Sequence, residues 1–177
     1  MFTFLVFCLS LFTIHFSLFT SAWAQDDESA PPPLKMITKD ERTRLEAEGD
    51  PKVRTKLAVE LIRSHIDAAE KANAAGSFDT MFRELGDFRG LVDYSLAFLQ
   101  RAGADDKKTL DNYKRLELTL RAATPRIEAI RRELPMRYEN YVRELLNYIR
   151  DARKKATEVM FSDTVLPDEI KSEEKQK

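Results

Sequence analysis

The sequence predicts an all-α protein, an antiparallel bundle of four long helices preceded by a short N-terminal helix. Gly49, Gly76 and Gly103 lie 27 residues apart, and each is followed by residues that favour a helix start. Apolar residues recur at helical spacing after these glycines, and no segment shows the sustained alternation of a half-buried strand. Because the links are short, consecutive helices must fold back on each other.

The short helix is predicted within residues 38–48. Thr38 and Glu41 have the spacing of a capping box, in which the two residues cap each other's backbone amides. Leu45 and Ala47 are its main apolar residues, so we expect an edge helix that covers little of the core.

The first long helix is predicted to begin at Pro51, after the N-cap Asp50, and to end before Gly76. Its apolar residues occupy an arc of about 200°, wide enough to contact two neighbouring helices. They are Leu57, Ala58, Val59, Leu61, Ile62, Ile66, Ala68, Ala69 and Ala72.

The second long helix contains Gly86 and Gly90, one turn apart, where each costs about 1 kcal/mol relative to alanine. Three explanations are open: close approach of another helix, a local break, or a hinge that opens the bundle. Close approach is favoured, because apolar residues keep helical spacing across the site. They are Phe78, Phe82, Leu85, Val92, Leu96 and Leu99.

Two prolines shape the rest of the bundle. Heptad spacing continues in phase across Pro125, which predicts a kink rather than an end to the third long helix. Helical geometry is unfavourable at Leu134 because this residue precedes Pro135, so the helix should end there. The fourth helix should bury one face, formed by Tyr138, Val142, Leu145, Ile149, Ala152, Ala156 and Val159.

The N-terminus has the pattern of a secretory signal peptide over residues 1–24. Phe2 to Phe19 contains no Asp, Glu, Lys or Arg, and Ala22 and Ala24 are small residues at the −3 and −1 positions. We expect export to the periplasm or the medium, with cleavage near Ala24. The alternative is an uncleaved anchor, because about 18 apolar residues can just span a bilayer.

The remaining chain divides by composition. Residues 25–37 are predicted to be a polar, proline-rich tether, residues 38–161 the helical bundle, and residues 162–177 a disordered charged tail. The only cysteine is Cys8, so a cleaved protein has none and its stability must come from burial.

The sequence contains no pattern typical of a catalytic or cofactor-binding site. His65 is the only histidine after residue 24, and it falls within an apolar arc, which favours a core-edge imidazole bonded to a neighbouring helix over a haem or metal ligand. Ser64 points about 100° away on the same helix and cannot pair with it. The 30 acidic residues offer many carboxylate pairs, but none sits in an apolar run that would raise its pKa. The sequence therefore predicts no enzyme, cofactor or metal.

A basic stripe is the strongest surface signal. Residues 114–155 contain 12 Lys or Arg against 6 Asp or Glu. Arg143, Arg150 and Lys154 share one face of the last helix, and Tyr141 and Tyr148 border its apolar face. This surface is the expected site for an acidic protein or an anionic envelope partner. Nucleic acid is not expected, since exported proteins rarely meet it, and the alternative is a solvated face without a partner.

Residues 50–88, DPKVRTKLAVELIRSHIDAAEKANAAGSFDTMFRELGDF, resemble the helical hairpin of uncharacterised exported bacterial all-helical domains. An Asp-Pro start, a long Leu/Ala helix and a Gly-polar-aromatic turn carry the resemblance, which implies the fold and export but no activity. AAGSFDTMF also resembles the inter-helix turn of a tetratricopeptide repeat. The spacing of 27 residues and the presence of Met81 where alanine is expected differ from that 34-residue repeat.

The function expected from these patterns is that of an exported, non-catalytic bundle, acting as an interaction or structural component of the cell envelope. The alternatives are a small extracytoplasmic chaperone and a tetratricopeptide-like peptide-binding scaffold. Membrane contact is expected only if the N-terminal segment stays uncleaved.

Overall fold

The computed structural model describes residues 35–103 and 107–162, and these residues confirm the predicted all-α bundle. The helices are α1 (Lys39–Ala47), α2 (Pro51–Ala74), α3 (Phe78–Ala102), α4 (Lys107–Glu133) and α5 (Met136–Ser162). No strand occurs among these residues. The signal peptide, the tether before Lys35 and the tail after Ser162 lie outside them. None of the described helices has an apolar stretch long enough to cross a bilayer.

The four long helices form two antiparallel hairpins. Three residues join α2 to α3 and two join α4 to α5, and within each hairpin the helices pack along their length. The hairpins meet mainly through α2 and α4, while α3 makes smaller contacts with α4 and α5, and α1 rests on α2. Helices of 24–27 residues are too long for the helix pairs of a 34-residue tetratricopeptide repeat, so the fold is a bundle.

Local sequence signals set most helix ends. The Thr38–Glu41 capping box is present at α1, and the Asp50 side chain accepts the amide of Lys52 at 2.7 Å. Gly76 has φ +69°, the left-handed conformation that suits a residue after a helix. Gly103 also has positive φ, but its ψ of 155° differs from the left-handed helical form that its position predicted.

Pro125 does not end its helix and Pro135 follows the end of one, as predicted. α4 continues through Pro125 to Glu133, with the apolar side chains of Leu120 and Ile127 buried on either side. Pro135 lies between α4 and α5 and separates them.

The core is the predicted set of apolar faces, with an addition that the patterns did not show. Several polar residues are buried with them: Thr55, Asn73, Asp87, Ser95, Thr109, Asn112, Glu117 and Thr119. Three of these buried hydroxyls donate to a carbonyl one turn earlier in the same helix, at 2.7 to 2.9 Å. A hydroxyl satisfied within its own helix can be buried without a tertiary partner.

Candidate functional site: an α4–α5 groove and a histidine–carboxylate cluster

An open groove runs between α4 and the C-terminal half of α5. It consists of two adjoining cavities of about 450 and 520 Å³, which share Glu117, Thr157 and Phe161. Leu118 and Phe161 line the groove and remain 49% and 58% exposed. The groove therefore presents two large apolar side chains to solvent. We call this surface the α4–α5 groove.

Charged side chains surround these apolar residues. Five are basic and three are acidic, so the groove has an excess of positive charge. The basic residues are Lys114, Arg121, Arg150, Arg153 and Lys154, and the acidic ones are Asp111, Glu117 and Glu158.

Glu117 organises one wall of the α4–α5 groove. Its side chain is 5% exposed, and its carboxylate oxygen Oε1 accepts hydrogen bonds from Arg121, one turn along α4, and from Arg153 of α5. The four N···O distances lie between 3.0 and 3.2 Å. Two arginines thus share one buried carboxylate, which couples α4 to α5 and fixes both guanidinium groups beside the groove.

The predicted basic stripe is divided by the structure. Arg150 and Lys154 line the α4–α5 groove, whereas Arg143 is not among its lining residues and donates to Glu139 at 2.8 Å. Lys154 pairs with Glu158 at 3.7 Å, with both side chains largely exposed. Arg150 makes no ion pair with another described residue. The part of the stripe that adjoins an apolar surface is therefore its C-terminal part.

The two tyrosines face α3 instead of the groove. Tyr141 packs edge-on against Phe82, with ring centroids 6.1 Å apart. The Tyr148 hydroxyl donates to Asp93 at 2.6 Å, and Arg89 lies over its ring. Tyr148 is therefore bonded to α3 and does not line the α4–α5 groove with Arg150 and Lys154. Burial, together with the neighbouring Asp93 carboxylate, raises the pKa of Tyr148 well above its usual value.

The glycines of α3 lie in an unbroken helix. Both Gly86 and Gly90 are buried, and α3 continues through them, so the local break is wrong. A Cβ added at Gly90 would lie 2.5 Å from the carbonyl oxygen of Met36. The neighbour in close approach is the backbone of the segment before α1, whereas the sequence had predicted a helix.

A histidine–carboxylate cluster joins α1, α2 and α3. His65 Nε2 lies 2.7 Å from Glu41 Oε1, and Nδ1 lies 2.7 Å from Glu84 Oε2. Asp87, 6% exposed, places a carboxylate oxygen within 4.8 Å of the ligand atoms of His65 and Glu84. Both ring nitrogens face carboxylates at hydrogen-bond distance, so both can donate when the imidazole is protonated, and these contacts favour the protonated form. The predicted contact of His65 with a neighbouring helix is present, and it involves two helices: α1 through Glu41 and α3 through Glu84.

The pKa shifts in this cluster follow from burial and pairing. Burial alone would lower the pKa of His65, but the bonds to Glu84 and Glu41 outweigh it, and the pKa is raised. Burial would raise the pKa of Glu41, but bonds from Thr38 and His65 leave it lowered. For Asp87 burial dominates and raises the pKa; the charge on His65 partly offsets this, and Glu41 and Glu84 add to it.

The sequence predicted that no acidic residue lies in surroundings that raise its pKa. The buried Asp87 shows that this prediction is wrong. The polar residues around it, ELGDFRG, resemble an exposed segment, but α3 is buried around most of its circumference there. The spacing of Glu84 and Asp87 on one face of α3 is the signal that the sequence offered.

The chain was compared with protein-family models, curated proteins and solved structures, and nothing in any of the three comparisons matches it.

Proposed function

We propose that this chain is an exported, non-catalytic binding protein of the cell envelope, and that its α4–α5 groove takes an acidic protein segment carrying apolar side chains. The observation that carries the proposal is the exposure of Leu118 and Phe161 between basic side chains of two helices. Covering both side chains favours association, since fully burying a residue of this type contributes about 1.5–3 kcal/mol and each is roughly half exposed.

The charged residues of the groove indicate that the partner is negatively charged. Arg150 is exposed and unpaired within the described part of the chain, and the Lys154–Glu158 pair is open to solvent. Exposed pairs of this kind contribute little to stability, so their cations can turn to a partner at small cost. An acidic segment complements this rim, and complementary charge increases the association rate and selects the partner.

The arrangement favours a protein segment over an anionic membrane surface. The exposed acids Asp111 and Glu158 lie among the basic residues of the α4–α5 groove. A uniformly anionic bilayer would meet these carboxylates with like charge, whereas a peptide can place its acids opposite the cations alone. The concave cavities also suit individual side chains better than a flat surface.

The export part of the proposal depends on residues 1–24. Mass spectrometry of the protein recovered from its native cells should give Gln25 as the first residue, outside the cytoplasm. Recovery of the intact N-terminus from the membrane fraction would favour the anchored form, and recovery from the cytoplasm would refute export.

The binding site is tested by photo-crosslinking in the organism that makes the protein. A photoreactive phenylalanine replaces Phe161, and the matched control replaces Met136, which is 85% exposed at the other end of α5. We expect a discrete acidic protein segment to be captured from position 161 and not from position 136. The double variant Arg150→Glu/Lys154→Glu should lose this capture while keeping its helical circular-dichroism spectrum.

Three results would contradict the proposal. Equal capture from both positions indicates a non-specific surface. Capture of phospholipid from position 161 favours a membrane over a protein. If capture is unchanged in Arg150→Glu/Lys154→Glu, the partner does not depend on the basic residues of the groove.

A further inference from the structure

We propose that His65, Glu84 and Asp87 form a binding site for one divalent transition-metal ion, with Glu41 as the residue that orients the imidazole. Their candidate ligand atoms, one from each residue, lie within 4.8 Å of one another. The inference is independent of the α4–α5 groove.

The helical hairpin of α2 and α3 brings the three ligands together. Glu84 and Asp87 are three residues apart and therefore share one face of α3. His65 comes from the middle of α2, which packs along α3. All three ligands are thus held on long helices that pack against each other, and helices position a metal site more rigidly than loops do.

The cluster has more negatively charged groups than positively charged ones. Three carboxylates, those of Glu41, Glu84 and Asp87, surround one imidazole, which can carry at most one positive charge. The nearby Arg83 is an exposed side chain that lies 3.8 Å from Glu84. Asp87 is more than nine-tenths buried and accepts no hydrogen bond from another described side chain. A buried carboxylate without a donor is costly unless it gains a proton or a cation. A divalent ion satisfies it together with Glu84.

The coordination chemistry selects the class of ion. The ion takes the place of the proton between Nδ1 of His65 and Glu84, while Asp87 supplies the third ligand. Ligand bonds of about 2.0–2.2 Å in a tetrahedral site separate the ligand atoms by roughly 3.4 Å. The 2.7 Å between Nδ1 and Glu84 must therefore widen, and Asp87 must move closer by a rotamer adjustment. A nitrogen ligand favours Zn²⁺ and its neighbours over Mg²⁺ and Ca²⁺, which prefer oxygen.

Glu41 completes the site from outside. It accepts the Nε2 proton of His65 at 2.7 Å, and its other oxygen accepts from Thr38. In many metal sites a carboxylate bonded to the second ring nitrogen fixes the tautomer and raises the basicity of the ligating one. A bound ion would thus also link α1 to the bundle.

The test is calorimetric titration of the full chain, without a histidine tag, with Zn²⁺, and a thermal melt with and without the ion. We expect a site of one ion per chain and a rise in melting temperature on Zn²⁺ addition. Asp87→Asn keeps the shape of the side chain and should weaken this site more than tenfold. Glu41→Gln should weaken it by about 10- to 100-fold. Asp93→Asn, an acid on the same helix outside the cluster, is the control and should bind as the unaltered chain does.

The proposal is overturned if the unaltered chain shows no saturable Zn²⁺ binding. It is also overturned if Asp87→Asn binds Zn²⁺ as tightly as Asp93→Asn. A circular-dichroism melt of each metal-free variant shows whether it is folded. If Asp87→Asn does not fold, loss of the affinity and of the thermal shift in Glu41→Gln decides in its place.

Discussion

The strongest quantitative prediction concerns Glu117, whose buried carboxylate holds two arginines between α4 and α5. Glu117→Gln keeps the volume of the side chain but removes its charge. All four N–H groups that Arg121 and Arg153 direct at the carboxylate reach one oxygen, Oε1, which becomes an uncharged amide oxygen in the variant. The amide oxygen can still accept these bonds, but both guanidinium groups lose the negative charge that balances them, so the pairing is weakened.

The magnitude follows from the burial of the partners. Breaking a fully buried ion pair costs about 3–5 kcal/mol, chiefly because the remaining charge stays unpaired and dry. Here the side chains of Arg121 and Arg153 are 63% and 31% exposed, so both can recover part of their hydration. We therefore expect a loss of about 2 kcal/mol in the free energy of unfolding, near the value for a hydrogen bond to a charged group.

The matched control lies on the same groove. Glu158→Gln removes the acid of the solvent-exposed pair with Lys154 and should change the free energy of unfolding by less than about 0.5 kcal/mol. Urea denaturation followed by circular dichroism measures both variants, with the midpoint shifted and the slope unchanged. Equal effects of the two substitutions, or a stable Glu117→Gln, would refute the conclusion that burial makes the Glu117 pairing matter.

Three further predictions test the other contacts. The pKa of His65 is raised, so its bonds to Glu41 and Glu84 stabilise the fold fully below the unfolded pKa of about 6.5 and are lost as pH rises through the folded value. The free energy of unfolding in EDTA should therefore fall as pH rises above about 6.5, and less so in His65→Gln. Gly90→Ala should displace the backbone of Met36 and speed amide exchange there, whereas Gly49→Ala, with open space around its Cβ, should not; equal exchange in the two variants would contradict the close contact. Tyr148→Phe removes the hydrogen bond to Asp93, whose side chain is 42% exposed and can regain water, so the substitution should cost about 1 kcal/mol by urea denaturation; a change within error would show that the bond is not stabilising.

Much of the fold could be predicted from the sequence because its signals are local. Asp50 caps α2 through amides two and three residues away, and Pro135 acts on the residue before it. Neither effect depends on what the rest of the chain does. The apolar periodicity then specified which faces pack, and these faces are buried.

The charged interior could not be predicted in the same way, because burial of a polar residue depends on tertiary neighbours. Glu117 and Arg121 have the spacing of an ordinary solvent-exposed pair, and the burial of Glu117 depends on α5, which brings Arg153 to it from 36 residues away. Asp87 is buried because α3 has neighbours on several sides, including the backbone of Met36. Periodicity along one helix contains no information about how many neighbours surround it.

The α4–α5 groove was predicted in part. Arg150 and Lys154 were singled out on the sequence, but the apolar residues beside them were not, because Leu118 lies on α4 and Phe161 at the end of α5. These two residues lie close together because α4 and α5 fold into a hairpin.

One measurement tests the groove most directly: the affinity, by fluorescence anisotropy, of the acidic segment captured at position 161 for two charge-reversed proteins. Arg150→Glu/Lys154→Glu reverses charges on the α4–α5 groove, and Arg143→Glu reverses a charge on the same helix outside it. We predict at least about tenfold weaker binding to the first, equivalent to about 1.4 kcal/mol, and a change of less than about twofold for the second. Equal weakening by both, or unchanged binding to the first, would contradict the groove as the binding site.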